Sequence, residues 1–319
     1  MSIIEQATKR LEELSRAGVA VPWGAAGLSP GPQRATPAGV VPQAASEPVT
    51  GGAEIRLVDT ERPSPVRDAA KPPASRGRAR GRVVTLDLAR LEREGHLVST
   101  QSRSLLSEEF RQIKRPLLKH TRSKEAIKNR LALIMVTSAM PGEGKTFSAI
   151  NLAMSIANEI DKSVLLVDAD VVRPDLMRRL GVEADVGLLD LLTDPSLALD
   201  DVVLQTNVPK LSLLPAGKRS TYSTELLASE AMDELLLSLA SDCPGRIVLF
   251  DAPPLLVTTE AKVLAARVGQ VVVVVEAGGT HRREVEQAFA AIEQCPNVCS
   301  ILNKASESEV PDGYDYYYG

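Results

Sequence analysis

The sequence contains few cysteines and few aromatic residues. Three of its 319 residues are cysteine, and Phe, Trp and Tyr together make up 3%. Cys243, Cys295 and Cys299 do not show the short paired spacings of zinc sites or redox centres, which argues against both and fits a reducing compartment. With aromatics so scarce, a core must be built from aliphatic side chains, and the 44% hydrophobic content supplies them.

Long apolar runs and a strong net charge are also lacking. No stretch reaches the roughly 18 uninterrupted apolar residues of a membrane-spanning helix. Charged residues interrupt the N-terminal segment, so it does not resemble a signal peptide. The formal charge of −4, from 37 basic and 41 acidic residues, gives no electrostatic basis for nucleic acid as the main partner. The sequence therefore predicts a cytosolic protein, and any association with a membrane is expected to come through a partner.

Composition divides the chain into four predicted segments. Residues 1–18 have the pattern of an amphipathic helix whose polar face carries charges of both signs. We interpret this segment as a docking helix; the alternative is a helix with no partner of its own. Residues 19–82 hold ten of the 21 prolines and are predicted to be a disordered linker. Residues 83–303 are predicted to form the folded domain, with a largely helical start. Residues 304–319 are predicted to be a flexible tail.

The folded domain has the pattern of an α/β protein. Short aliphatic runs alternate with amphipathic stretches such as 224–240 and 281–294. Continuous apolar strands separated by helices are typical of a mostly parallel, doubly wound sheet with helices on both faces. Ligands bind such sheets at the carboxyl ends of the strands. The predicted strands are 131–137, 163–168, 210–214, 246–251, 270–276 and 298–302.

The first strand runs into a phosphate-binding loop followed by a helix predicted over 147–158. Gly142 and Gly144 allow backbone N–H groups to surround phosphates at the positive end of the helix dipole. Lys145 supplies a cation to the phosphates, and the Thr146 hydroxyl is placed to bind Mg²⁺. Ala139 departs from the general pattern, which begins with Gly. The predicted ATP-binding residues are Pro141, Gly142, Glu143, Gly144, Lys145, Thr146 and Phe147.

Two further strands end in acidic residues. Asp168 and Asp170 follow one apolar strand and are two residues apart, and Asp251 ends another. A single Asp at such a position is usually a cap or turn residue. Three acids at strand ends beside a phosphate loop instead predict a Mg²⁺ site, with Thr146, Asp170 and Asp251 as its ligands. Lys145, Asp168 and Asp170 are the predicted catalytic residues, and the division of roles between the two acids of the pair stays open.

These motifs resemble those of the bacterial tyrosine kinases, P-loop proteins unrelated to eukaryotic protein kinases. Pro precedes Gly-x-Gly-Lys-Thr, the second strand ends Asp-x-Asp with Arg and Pro after it, and the third ends Asp-x-Pro-Pro. The family usually has Arg two residues after the second acid; here that residue is Val172, which leaves Arg173. Residues 97–111 and 213–217 resemble the exosortase-associated tyrosine autokinases, which implies a role in bacterial exopolysaccharide biosynthesis.

The resemblance also implies cofactors and partners. It implies ATP and Mg²⁺, a membrane-anchored polysaccharide chain-length or co-polymerase protein as activator, a tyrosine phosphatase, and assembly of a homo-oligomeric ring. In the family a Glu-x-x-Arg-x-x-Arg helix packs subunits into that ring, and Glu108, Arg111 and Lys114 occupy its places here. Lys114 keeps the charge but loses the bidentate geometry of Arg, so Arg115 is an alternative. Without the resemblance, the same residues would be interpreted as an ordinary charged helix surface.

The C-terminal tail contains four of the five tyrosines, with acidic residues and glycines among them. A polar tail of this kind does not fit a core. It fits a phosphate acceptor, so Tyr314, Tyr316, Tyr317 and Tyr318 are the predicted sites of autophosphorylation between molecules. The alternative is an aromatic tail that binds a partner by stacking.

Two other functions remain open from the sequence. A partitioning or septum-positioning ATPase would share the fold, but its relatives carry a lysine early in the loop, where this chain has Met140. A nucleotide-gated scaffold of an export machinery would need no catalysis, and the tyrosine tail argues against it.

Overall fold

A computed structural model describes residues 82–98, 104–119, 121, 128, 130–241 and 245–305. The predicted docking helix, nearly all of the predicted linker, Cys243 and the tail from residue 306 onward lie outside the described residues. Within the described part of the chain, no helix combines the length and apolar character needed to cross a membrane.

The described residues form a sheet of eight strands in the order β1-β4-β5-β3-β6-β2-β7-β8. All neighbouring strands pair in parallel except β4 and β5, which are antiparallel. The strands are β1 Val83–Val84, β2 Leu133–Ser138, β3 Ser163–Asp168, β4 Leu204–Thr206, β5 Leu211–Leu214, β6 Arg246–Asp251, β7 Gln270–Glu276 and β8 Val298–Asn303.

Helices cover both faces of the sheet and connect its strands. Those described are α1 Leu88–Arg93, α2 Leu105–Leu118, α3 Lys145–Ala157, α4 Leu176–Leu180, α5 Leu188–Thr193, α6 Leu199–Val202, α7 Ser223–Leu227, α8 Glu230–Ser241, α9 Thr259–Ala265 and α10 Arg282–Ala290. The prediction of a mostly parallel α/β sheet is therefore confirmed.

Two aliphatic cores lie on opposite faces of the central strands. In β2, Leu133 and Met135 belong to one core, whereas Ile134 and Val136 belong to the other. Side chains alternate between the faces of a strand, so a strand buried on both faces is apolar throughout. This is why β2, β3, β6 and β7 could be recognised as short apolar runs.

The structure differs from the sequence predictions near the start of the folded domain and at the sheet edge. β1 and β4 were missed because strands of two and three residues leave almost no periodic pattern. The stretch 224–240 forms two helices, α7 and α8, rather than one. Leu105, an apolar residue in the predicted helical start of the domain, is 62% exposed at the first turn of α2.

Candidate active site

The predicted catalytic and metal-binding residues meet at the carboxyl ends of three adjacent strands. β6 lies between β3 and β2, and Asp168 is aligned with Asp251 across the β3–β6 pair. The loop after β2 leads into α3, whose first residue is Lys145. The sheet topology thus brings together motifs that lie 20 to more than 100 residues apart in sequence.

The phosphate loop contains two glycines in the left-handed region. Gly142 has φ of +92° and Gly144 has φ of +99°, a conformation that residues with a Cβ rarely adopt. Ala139, at the usual position of the first Gly, is fully buried and is not among the described residues with positive φ. Alanine is therefore accommodated there without strain.

Lys145 contacts the carboxylates of both acidic strands. Its Nζ lies 2.8 Å from Asp170 Oδ2 and 3.8 Å from Asp251 Oδ1, with the Thr146 hydroxyl at 3.5 Å. The backbone N–H of Arg173 donates to Asp170 Oδ1 at 3.1 Å, and that of Leu176 donates to Asp168 Oδ2 at 3.2 Å. These hydrogen bonds attach the turn after β3 to Asp170 and the start of α4 to Asp168.

The site holds more negative than positive charge. Burial and, to a smaller extent, the neighbouring Asp251 and Asp170 together raise the pKa of Asp168 to about 8. Burial likewise raises the pKa of Asp251 to about 6, against the opposing effects of Lys145 and a hydrogen bond from Thr146. Burial lowers the pKa of Lys145, but Asp251 and Asp170 outweigh it and the net pKa is raised. One buried ammonium therefore faces three acidic side chains, and the raised pKa values of Asp168 and Asp251 reflect their burial and mutual repulsion.

These residues fit a magnesium ion that arrives with a nucleotide. Asp168 Oδ1 and Asp251 Oδ1 are buried and accept no hydrogen bond from any described group. Oxygen donors with excess negative charge are what Mg²⁺ prefers, and it usually binds one or two carboxylates together with substrate phosphates. Accordingly, the described residues include no group of three or more His, Cys, Asp or Glu side chains able to hold a metal by themselves.

Sequence reasoning missed the contacts that support the phosphate loop from the β7–β8 side. Glu143 is 3% exposed, and its carboxylate accepts hydrogen bonds from the Met140 N–H at 2.7 Å and from the Thr280 hydroxyl. Asn303 Nδ2 donates to the Glu143 carbonyl at 2.8 Å. Asn303 ends a strand at the same edge as the acids, and this position was the available signal; the predicted strand stopped one residue earlier.

Phe147, predicted to bind ATP, packs against the segment that follows α1. Its ring centroid is 5.0 Å from that of the buried His96. Asn151 accepts a hydrogen bond from the Leu97 N–H at 2.7 Å and donates to the Phe147 carbonyl at 3.0 Å. The described contacts thus give Phe147 a role in attaching residues 94–98 to the first turn of α3.

The three residues predicted to form a ring interface are not equivalent. Glu108 and Arg111 are partly exposed and form an ion pair with each other. Lys114, in contrast, is 6% exposed; its Nζ lies 2.6 Å from Glu159 Oε1 and donates to the Ser155 carbonyl at 2.7 Å. Lys114 therefore lies on the inner face of α2 and pairs within its own chain, so its place in a ring interface stays a prediction. Arg115 is exposed. The four tail tyrosines lie outside the described residues.

Substituting alanine at Gly144 is expected to weaken nucleotide binding more than the same change at Gly142. A Cβ at Gly144 would lie 2.0 Å from Asn303 Nδ2, whereas a Cβ at Gly142 would meet nothing within 4 Å. Both variants carry a positive-φ cost of about 1–2 kcal/mol, so Gly142→Ala is the matched control for the steric effect. Competition against a fluorescent ATP analogue should show a dissociation constant at least about tenfold higher for Gly144→Ala than for Gly142→Ala. Equal constants would contradict the close packing of Asn303 on the loop.

Comparison with known proteins places this geometry in a family. Residues 131–302, more than half of the chain, match the family described as an AAA domain. The tyrosine-protein kinase YwqD of Bacillus subtilis is 30% identical over 223 residues, which cover 69% of this chain and 90% of YwqD. The putative tyrosine-protein kinase EpsB of Ralstonia nicotianae is 33% identical over 188 residues, 59% of this chain and 24% of EpsB, so this chain spans about a quarter of that relative.

A solved structure of another tyrosine kinase domain has the same fold. The BceF tyrosine kinase domain is 30% identical and superimposes with a TM-score of 0.54 over 69% of this chain and 91% of that domain. The phosphate loop, the paired acids of β3 and the acid of β6 were the features that resembled such kinases. The chain belongs to the family of bacterial tyrosine-protein kinases.

Proposed function

We propose that this chain transfers the γ-phosphate of Mg-ATP to tyrosines of its own C-terminal tail: Tyr314, Tyr316, Tyr317 and Tyr318. The observation that carries the proposal is the convergence of Lys145 with Asp170 and Asp251 at the start of α3. Phosphoryl transfer depends chiefly on positioning and on neutralising charge, and this arrangement supplies the groups for both.

Each residue of the site has a role in this chemistry. The N–H groups of residues 142–146 surround the β- and γ-phosphates, and Lys145 neutralises charge on the group transferred. Thr146, Asp170 and Asp251 would hold Mg²⁺, which supplies further charge neutralisation when bound. Asp168 accepts or orients the proton of the attacking tyrosine hydroxyl. Its Oδ2 is occupied by the Leu176 N–H, whereas its Oδ1 accepts no hydrogen bond from described groups.

Transfer between molecules is supported by where the tail starts. Lys304 pairs with Glu276 at 3.0 Å, directly after Asn303, which touches the phosphate loop. We propose that residues 305–313 carry Tyr314 into the site of a neighbouring molecule rather than back into the site of the same chain. Fully extended, those nine residues reach about 30 Å, which is enough to enter a neighbouring site.

The assembly proposed here is a homo-oligomeric ring. Glu108 and Arg111 on the exposed part of α2 remain candidates for the contact, and Arg115 replaces the buried Lys114 as the third. Surface charges of this kind favour orientation and specificity more than affinity.

The cellular role proposed is control of exopolysaccharide biosynthesis and export, within the exosortase-associated branch of the family. A membrane-anchored chain-length or co-polymerase protein would activate the kinase and hold it at the inner face of the plasma membrane, with residues 1–18 as the docking helix and residues 19–82 as the linker. A tyrosine phosphatase would reverse the modification. The motif resemblance at residues 97–111 and 213–217 supports this role.

An anti-phosphotyrosine blot of the purified full-length chain with Mg-ATP tests the activity. We expect a signal that mass spectrometry assigns to the four tail tyrosines. Mixing an inactive Lys145→Met chain with an active chain whose four tail tyrosines are Phe should label the inactive chain. ATP hydrolysis without phosphotyrosine would contradict the autokinase and favour an ATPase of the same fold. An unlabelled inactive chain, when the wild type labels itself, would contradict transfer between molecules.

A further inference from the structure

The phosphate loop contains a carboxylate that faces away from the site. Glu143 lies between the two left-handed glycines, yet its side chain is 3% exposed. A buried carboxylate is costly unless hydrogen-bond donors surround it. Here the donors are the Met140 N–H within the loop and the Thr280 hydroxyl after β7. Its two carboxylate oxygens are thus bound by one donor within the loop and one donor after β7.

The Thr280 hydroxyl is oriented so that its proton goes to Glu143. The oxygen accepts a hydrogen bond from the Glu276 N–H at 3.0 Å. A hydroxyl has a single proton, and with one lone pair occupied by that N–H the proton is free for the carboxylate. Hydrogen bonds to a charged acceptor are roughly twice as strong as neutral ones. Thr280 therefore ties the loop to the end of β7.

Asn303 determines which way a loop amide points. Its Nδ2 donates to the carbonyl of Glu143, whose partner in the same planar peptide unit is the N–H of Gly144. In a trans peptide the C=O and N–H point in opposite directions. Holding the Glu143 carbonyl toward β8 therefore directs the Gly144 N–H to the other side, into the space before α3 where phosphates bind.

We propose that Thr280 and Asn303 are positioning residues of the kinase, which hold the phosphate loop in its binding conformation through Glu143. The hydrogen bonds that their side chains donate go to Glu143 in the loop, and we place their effect on the loop rather than on the reacting atoms or the nucleobase. This inference rests on nucleotide binding by the loop and is independent of where the phosphate is delivered. A change of either residue weakens binding of any ligand that presents the same phosphates.

Dissociation constants measured on the full-length chain test Thr280, because they do not require phosphoryl transfer. Competition against a fluorescent ATP analogue should show about tenfold weaker Mg-ATP binding for Thr280→Val, which keeps the shape and removes the hydroxyl. Thr280→Ser should restore binding to within about twofold. Thr206→Val is the matched control, since the Thr206 hydroxyl donates to the Leu211 carbonyl at 2.9 Å and lies on β4, which three strands separate from β2 and the loop after it. That variant should bind Mg-ATP as the wild type does, whatever its Tm.

Asn303 is tested with two ligands, of which one carries a nucleobase and the other does not. Asn303→Ala should weaken Mg-ATP and inorganic triphosphate by the same factor, because the phosphates are what the loop holds. A loss confined to ATP would overturn the proposal and make Asn303 a base contact. Wild-type affinity in Thr280→Val, or equal losses in Thr280→Val and Thr206→Val, would also overturn it. Absence of phosphotyrosine in a chain that still shows these affinities would instead contradict the proposed function.

Discussion

Lys145→Met is expected to lose tyrosine phosphorylation by at least about a hundredfold, the size of effect seen when one preorganised charge-stabilising group is removed. Methionine keeps the length of the side chain and removes the ammonium that contacts Asp170 and Asp251. Transfer of a phosphoryl group then lacks a cation at the developing charge. Phosphotyrosine formation on the purified chain is the measurement, and retained activity in Lys145→Met would mean that the site lies elsewhere.

The same change also removes a stabilising partner from two buried acids, so loss of activity must be separated from loss of folding. We expect a folded domain with a lower Tm, because leaving a buried charge unpaired is destabilising. Adding Asp170→Asn to Lys145→Met should recover part of the Tm without recovering activity. Lys262→Met, at an exposed lysine of α9, serves as the control and should change neither. Activity that returned together with Tm would show that the first variant was merely unstable.

Asp251→Asn is expected to abolish phosphorylation and yet to stabilise the protein. Asp251 is 1% exposed, and burial raises its pKa to about 6. Its ionised form therefore costs folding free energy at neutral pH, about 3 kcal/mol for a pKa raised from 3.8 to about 6. Asn keeps the shape and an oxygen that can accept from Thr146, but it removes the charge. Tm should rise by roughly 6–12 °C for a domain of this size, while a proposed Mg²⁺ ligand is lost.

The raised pKa of Asp251 also predicts how the gain in stability of Asp251→Asn changes with pH. The folded protein holds the Asp251 proton more tightly than the unfolded chain does, because the pKa is raised from 3.8 to about 6. Between these two values the unfolded chain ionises first, so stability from this group falls as pH rises and reaches its minimum above pH 6. The gain in Tm for Asp251→Asn should therefore be present at pH 7.5 and shrink toward pH 4.

Asp233→Asn is a suitable control for that experiment. Asp233 is partly exposed and forms ion pairs with Arg130 and Arg267. Losing an exposed pair costs about 0–1 kcal/mol, so its Tm should fall slightly and its activity should remain. An Asp251→Asn chain with lowered Tm, or with wild-type activity, would contradict the charge balance described for the site.

The amino-acid sequence determined the strands that carry the chemistry. β3, β6 and β7 have the predicted bounds because strands buried on both faces are aliphatic throughout, and such runs are visible without any partner. The Gly-x-Gly-Lys-Thr loop between a strand and a helix predicted the nucleotide site for a similar local reason. Asp168 and Asp251 were recognisable because each ends one of these strands.

Only the tertiary structure decided which side chains contact each other across the fold. Glu108 and Lys114 are six residues apart on one helix, and charge patterning gave no sign that Lys114 would turn inward to Glu159. Likewise, nothing near Glu143 in sequence indicated Thr280 or Asn303, which lie 137 and 160 residues away. A local pattern reports the conformation and burial of its own segment, whereas the partner of a buried charge is chosen by strand order and packing. For this protein the sequence determined the fold and the motifs, and the fold determined which residues hold them in place.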